Sequence, residues 1–324
     1  MLRAPILITG AGGFVAAHLA RRIAGAGGVA LGLGIELTPS APRGEFSREW
    51  RVDLADRPRL SSAVAEAEPA AVVHLAGQSS VADSFERPIE TFEANAGGTW
   101  NLLEAVRTAA PEARVLVIGS GDIYGPQPAG SRAPETAPLR PVSPYALSKA
   151  VAEAAALFYA ERFGTDVVCT RSFAHIGTGQ SDRFVVPAMA RQIAEIEQAD
   201  GREAVIHAGN LEVTRDVTTV DSVAEAYLAL LERGRAGTVY NVCSGEPTTL
   251  SQLVERLARL SRRPVRIEVS SKRARAVDVP YLVGDPSRIQ QETGWRAAPI
   301  SDDVLGEILG DWRARIRPAP RAGP

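Results

Sequence analysis

A strand that runs without a gap into glycines and then into a helix is the strongest constraint in this chain. Pro5-Ile6-Leu7-Ile8-Thr9 is an apolar run of strand length, Gly10-Ala11-Gly12-Gly13 follows at once, and residues 14–24 have a helical composition. Glycines at such a junction let the backbone close on a pyrophosphate, and the helix N-terminus supplies the amides that hold it. Ala16 stands where a third glycine would allow the tightest helix packing, and alanine is accepted there. Glycine clusters also make ordinary loops. The placement directly after the first strand is what selects dinucleotide binding. Gly10, Gly12, Gly13, Phe14 and Val15 are therefore cofactor candidates.

Strand-like and helix-like segments then alternate. Strands are expected at 29–35, 71–74, 115–118, 166–170 and 238–242, and helices at 59–67, 93–109, 145–162, 220–232 and 250–260. That alternation predicts an α/β fold, a Rossmann-type doubly wound parallel sheet. Residues 317–324, rich in proline, arginine and glycine, read as a disordered tail.

Composition narrows the functional classes. A formal net charge of -2 gives no electrostatic footprint for nucleic acid or an anionic membrane. Cys169 and Cys243 lie in strand-like runs and read as reduced, buried thiols. His18, His74, His175 and His207 show no metal-ligand spacing, so no metal is assigned, and His74 is expected to pack beside the cofactor. No apolar run reaches membrane-spanning length, and the chain enters its first strand directly rather than through a signal peptide. The expected location is cytoplasmic.

Tyr145 and Lys149 are four residues apart at the head of an alanine-rich helical run, and so share a helix face. A phenol titrates near 10, and a neighbouring ammonium favours its ionised form. Alone, this spacing more often marks a surface tyrosine and a solvated lysine. The acid that would bind an adenosine ribose at the end of the second strand is missing, because Gly34 falls there with Glu36 two places on. Nothing therefore excludes a 2′-phosphate, which Arg43 or Arg48 would meet. The cofactor is NADP or NAD, with NADPH preferred. Asp53 and Leu54, after a short strand, would meet the adenine edge, and an ordinary exposed loop aspartate is the equal alternative for Asp53.

Taken in order, these pieces resemble the extended short-chain dehydrogenase/reductase family (NAD-dependent epimerases and dehydratases), which acts on nucleotide sugars. The motifs are the turn at 10–16, His74-Leu75-Ala76-Gly77, Asn95-Ala96-Gly97-Gly98-Thr99, Ser120-Gly121-Asp122-Ile123-Tyr124-Gly125 and Tyr145-x-x-x-Lys149. Further stretches, among them Arg140-Pro141-Val142-Ser143-Pro144-Tyr145, His175-Ile176-Gly177-Thr178-Gly179-Gln180, Gly209-Asn210-Leu211-Glu212 and Asp278-Val279-Pro280, resemble the branch that reduces GDP-4-keto-6-deoxy-D-mannose to GDP-6-deoxy-D-mannose.

The resemblance implies roles. Tyr145 would protonate the C4 oxygen as hydride reaches the carbon. Lys149 would lower the phenol's pKa, and Ser120 would hydrogen-bond the same oxygen. Asp122 stands where the family's 4,6-dehydratases carry glutamate. One methylene shorter, it disfavours dehydration and would position the sugar. Leu75, Ala76, Gly77, Asn95, Phe173, His175 and Ile176 would complete the cofactor site. Substrate contacts would come from Ser120, Gly121, Asp122, Phe184, Val185, Asn210, Arg215 and Arg275, with Arg183 a further candidate. Arg171-Ser172-Phe173-Ala174 has alanine where the family places an asparagine near the substrate phosphates, which leaves nucleotide and sugar open. The resemblance further implies residues 1–171 with 216–245 as the dinucleotide-binding domain, 172–215 with 246–316 as a smaller, discontinuous nucleotide-sugar lobe, and a homodimer. The alternatives are a 4-epimerase (or 4,6-dehydratase) with tightly held NAD, and a non-catalytic dinucleotide-binding protein on the same fold.

Overall fold

A computed structural model describes residues 4–37, 46–199, 204–269 and 279–316. The strands in chain order are β1 (Ile6–Thr9), β2 (Ala30–Gly34), β3 (Arg48–Arg51), β4 (Ala71–His74), β5 (Arg114–Ser120), β6 (Val167–Ser172), β7 (Ala174–Ile176), β8 (Val205–Ala208), β9 (Thr214–Thr219), β10 (Thr238–Val242), β11 (Pro247–Thr249), β12 (Arg266–Val269) and β13 (Tyr281–Leu282). The helices are α1 (Phe14–Gly25), α2 (Arg57–Ala67), α3 (Val81–Glu86), α4 (Pro88–Phe92), α5 (Gly98–Ala109), α6 (Pro144–Phe163), α7 (Val185–Gln198), α8 (Val220–Arg233), α9 (Leu250–Arg259), α10 (Ser287–Thr293) and α11 (Asp302–Ile316).

Seven parallel strands in the order β10-β6-β5-β4-β1-β2-β3 form the main sheet. Its inner strands are largely apolar on both faces because both are covered, while the edge strand β3, Arg-Glu-Trp-Arg, is exposed. Ile6, Ile8, Val73 and Leu116 face α1 and α8, and Leu7, Val72, Val115 and Val117 face α2, α5 and α6. The doubly wound sheet expected from the alternation of segments is present.

A second core gathers Ile193, Ile206, Leu253, Leu257 and Leu305 from α7, β8, α9 and α11. A smaller sheet, β11-β9-β13 with β7 also on β9, joins the two cores. The expected domain boundary at 216 falls inside β9, in that smaller sheet. Residues 93–97, expected as the start of one long helix, form a π-helical turn that leads into α5. Arg43, Arg275, Asp278 and residues 317–324 lie outside the described residues. Among the described residues no helix is long and apolar enough to cross a membrane.

Candidate active site

Parallel strands leave their carboxyl ends in one row, and loops leaving that row meet in a crevice. The first loop is the glycine turn. Gly10 has φ +72°, and a Cβ on it would stand 2.9 Å from the Ala76 backbone. A Cβ on Gly12 would stand 2.5 Å from the Glu36 carbonyl oxygen. Glycine is what lets the turn lie between the β4 loop and the end of β2. No side chain caps α1 at Gly13, so its first amides are left for a ligand. Those features fit a dinucleotide pyrophosphate. Phe14 stacks on His175 (centroids 6.0 Å apart, planes 10° apart), joining the turn to β7. His175 Nδ1 lies 3.1 Å from the Phe173 carbonyl oxygen, and burial pushes its pKa down.

Asn95 acts on the next loop. Its Oδ1 accepts from the Gln78 N–H (2.8 Å) and its Nδ2 donates to the Gln78 carbonyl (3.0 Å) and to Ser148 Oγ (2.9 Å). It thus fastens the loop after Gly77 to α6. Gln78, which the sequence reading passed over, keeps a buried Oε1 without a partner in this crevice.

β5 ends at Ser120 and the chain tightens into the 3₁₀ turn Gly121–Tyr124. Ser120 Oγ accepts from the Asp122 N–H at 3.2 Å, capping the turn, and its hydroxyl lies near enough to the Tyr145 phenol to favour the ionised form. It is both the turn cap and a candidate catalytic hydroxyl. Tyr145 is placed by the start of α6, where Pro144 opens the helix and Ser143 Oγ accepts from the Ala146 N–H at 3.1 Å. One turn on, Lys149 Nζ donates to the Ile118 carbonyl at 2.9 Å.

Burial first, and the Asp122 carboxylate second, push the Tyr145 phenol well above its ordinary 10, while the Ser120 hydroxyl pulls it down. This corrects the expected lowering by Lys149. Desolvation dominates, Lys149 is not among the groups that move the phenol, and the phenol stays protonated. Burial also brings Lys149 down to about 8.

His74 lies on the floor of the site, its Nδ1 2.8 Å from Thr9 Oγ1 and its Nε2 2.9 Å from Thr99 Oγ1. Burial, then the Lys149 charge, push its pKa down to about 3. Between the unfolded value near 6.5 and that folded value, the unfolded chain binds a proton that the folded chain refuses. The stability His74 contributes is therefore full above pH 6.5 and lost as pH falls toward about 3, by about 1.4 kcal/mol per unit. His74→Gln is expected to flatten that acid limb. Urea midpoints of variant and parent falling in parallel between about pH 6 and pH 4 would contradict it.

Other expected residues are more dispersed. Asp53 is exposed and its carboxylate accepts from the Ala55 N–H at 2.9 Å, while Leu54 packs on Gly98. Arg48 is turned over Trp50 and onto Glu66 at 2.7 Å, away from the expected 2′-phosphate role. Arg51, which the sequence reading missed, pairs in register with Gly34, and its Nε donates to the Ile35 carbonyl at 3.1 Å. Phe173 packs into a small core with Tyr124, Cys243 and Leu282. Phe184 caps α7, Val185 opens it, and Ala174 is exposed at the start of β7. Asn210 Oδ1 accepts from the Glu212 N–H. Arg215 lies on β9 beside Asp216, whose buried carboxylate accepts from the N–H groups of Ser244, Gly245 and Gly284. Arg183 bridges to Asp83 at 2.7 Å.

Residues 7–307 match the family model described as GDP-mannose 4,6 dehydratase. GDP-6-deoxy-D-mannose reductase from Pseudomonas aeruginosa is 36% identical over 96% of this chain and 98% of its own. The structure of RMD from Pseudomonas aeruginosa complexed with NADPH superposes with a TM-score of 0.83 at 34% identity, covering 97% of this chain and 100% of that one. A UDP-glucose 4-epimerase from Thermus thermophilus complexed with NAD gives a TM-score of 0.83 at 29% identity, covering 96% and 99%.

Proposed function

We propose that this chain, which belongs to the GDP-mannose 4,6-dehydratase family within the extended short-chain dehydrogenases/reductases, is an NAD(P)H-dependent nucleotide-sugar 4-ketoreductase. Its substrate is GDP-4-keto-6-deoxy-D-mannose and its product GDP-6-deoxy-D-mannose. The observation that carries the reading is a buried, protonated phenol, Tyr145, beside Ser120 at the carboxyl ends of the strands and one helical turn from the half-buried Lys149 ammonium. The full-length likeness to a reductase of that name supports the substrate.

A bound nicotinamide supplies the hydride. Ser120 and Tyr145 hydrogen-bond the C4 oxygen and stabilise the charge that grows on it. Tyr145 then gives up its proton. A sugar alkoxide is a far stronger base than a phenolate, so the transfer runs downhill even from a phenol raised by burial. Lys149 keeps a positive charge beside the acid below about pH 8. Gly10, Gly12, Gly13 and Phe14 hold the coenzyme, and Asp122, Phe184, Val185, Asn210 and Arg215 face the nucleotide sugar. Residues 1–171 with 216–245 bind the coenzyme and 172–215 with 246–316 the substrate, the exchange falling within β9.

The decisive assay follows nicotinamide absorbance with GDP-4-keto-6-deoxy-D-mannose generated in the cuvette, NADPH and NADH separately. Oxidation with formation of GDP-6-deoxy-D-mannose is expected. A nucleotide sugar that binds while neither coenzyme is consumed would overturn the assignment. The coenzyme preference has its own test in Arg51, beside Gly34. Arg51→Ala is expected to raise KM for NADPH about 10-fold and to change KM for NADH less than about 2-fold, because only the former carries a 2′-phosphate for the guanidinium to meet.

The reading includes a cytoplasmic homodimer. Ile89 and Phe92 on α4, Trp100 on α5, and Leu147, Val151 and Phe158 on α6 are exposed, and Trp100 stacks on Phe158 with centroids 6.1 Å apart. An apolar face of that kind is a contact surface. Leu147→Asp is expected to shift the molar mass by light scattering from dimer to monomer, and an unchanged mass would assign the face otherwise.

A further inference from the structure

We propose that Arg171 and Glu153 are positioning residues whose buried ion pair fixes Tyr145 against Ser120. The inference rests on reading those two hydroxyls as the catalytic pair.

Glu153 lies on α6 two turns beyond Tyr145 and one beyond Lys149, so all three share a face. Both carboxylate oxygens are taken by Arg171 of β6, Oε2 from Nε at 2.9 Å and Oε1 from Nη2 at 2.7 Å. The two residues are 4% and 6% exposed, so solvent does not compete for the bonds. Nη1 makes two more bonds, to the Tyr124 hydroxyl and to the Glu135 carbonyl, each 2.8 Å. The guanidinium also lies 4.8 Å from the centre of the Tyr124 ring. Tyr124 is the last residue of the turn that begins after Ser120. One planar group therefore holds the helix that carries the acid and the turn that Ser120 caps.

The network continues outward. The Tyr124 hydroxyl donates to Asn241 Oδ1 at 2.8 Å, and Asn241 Nδ2 donates to the Ala133 carbonyl at 2.9 Å and the Asp285 carbonyl at 3.2 Å. Stability alone does not call for charge here, since apolar replacements of buried pairs are often neutral or better. An apolar pair lacks a directional grip on several segments, which a five-donor fork provides. Lysine would keep the charge and lose the fork.

The test uses the full-length protein with Tyr124→Phe, Glu153→Gln and Arg171→Lys. kcat, KM and the primary deuterium isotope effect from 4-deuterated NADPH are measured per titrated coenzyme site, which removes any unfolded fraction. Tyr124→Phe removes the hydroxyl's bonds to Arg171 and Asn241, leaves the Glu153–Arg171 pair in place, and is expected to lower kcat about 10-fold, and Arg171→Lys about 100-fold. KM should stay within about 2-fold, while the isotope effect on kcat rises as hydride transfer becomes limiting. Should Arg171→Lys fail to fold, the other two decide. Unchanged kcat per site and isotope effect in Tyr124→Phe and Glu153→Gln would show a merely structural pair and overturn the proposal. Full activity in Tyr145→Phe would remove the catalytic assignment beneath it, and is read in a separate variant.

Discussion

Tyr145→Phe is expected to lower kcat by about 1,000-fold, in the middle of the range for a positioned general acid. The variant removes one oxygen and leaves the ring in its buried place at the head of α6. Ser120, Lys149 and the glycine turn are untouched, so coenzyme affinity and KM for the nucleotide sugar should stay near those of the parent. That split separates an acid from a binding group, because an interaction made only in the transition state leaves KM alone. Stopped-flow nicotinamide absorbance with saturating nucleotide sugar checks it. A fall confined to KM would make Tyr145 a substrate anchor.

The largest loss of stability is expected from Gly125→Ala. Gly125 has φ +65° and ψ −161°, a region open almost only to glycine, and a Cβ there would overlap the Arg140 carbonyl oxygen. Conformational strain and collision add, so a loss of about 3 kcal/mol or more is expected. Gly130 is the control. It has φ +80° and no neighbouring atom within 4 Å of a Cβ. Alanine there pays only the left-handed conformation, about 1–2 kcal/mol. Urea unfolding of the pair checks the difference, and equal losses would show that the approach of Arg140 is unimportant. The approach also bears on activity. Arg140 donates its N–H to the Ile123 carbonyl at 2.9 Å, and three residues later Ser143 caps α6. Pushing Arg140 away moves the entry to the catalytic helix.

The main sheet was legible because most of its strands are short apolar runs between turn signals, as at Ile6–Thr9 and Ala71–His74, whereas the edge strand β3, Arg-Glu-Trp-Arg, carries no such pattern. The second core was harder to read. β9, Thr-Arg-Asp-Val-Thr-Thr, carries the smaller sheet with few apolar residues, and α7 hid behind two residues read only as pocket walls. Ser120, Tyr145 and Lys149 could be read from motif order, and the structure brings them together. Their electrostatics could not. The spacing of Tyr145 and Lys149 points to a lowered phenol, whereas burial, a property of the assembled fold, raises it. Arg171 was seen only as part of a motif. Its partners stand 18 and 47 residues away, and Asn241 lies 117 residues from Tyr124, distances over which no local pattern operates.

The strand order has a consequence for synthesis. β10, the outer neighbour of β6, is made only after β7, β8 and β9 have been laid down elsewhere. Until Val242 leaves the ribosome, β6 is an open edge of buried-type sequence, Val-Val-Cys-Thr-Arg-Ser, with its hydrogen-bonding groups unmatched on one side. Such an edge attracts other strands. The chain thus passes through a vulnerable interval of about 70 residues of elongation, several seconds at ordinary translation speed. A ribosome stalled between β6 and β10 would hold an aggregation-prone sheet that lacks only its last strand, and a chaperone that shields β6 during that interval would govern the yield of folded enzyme.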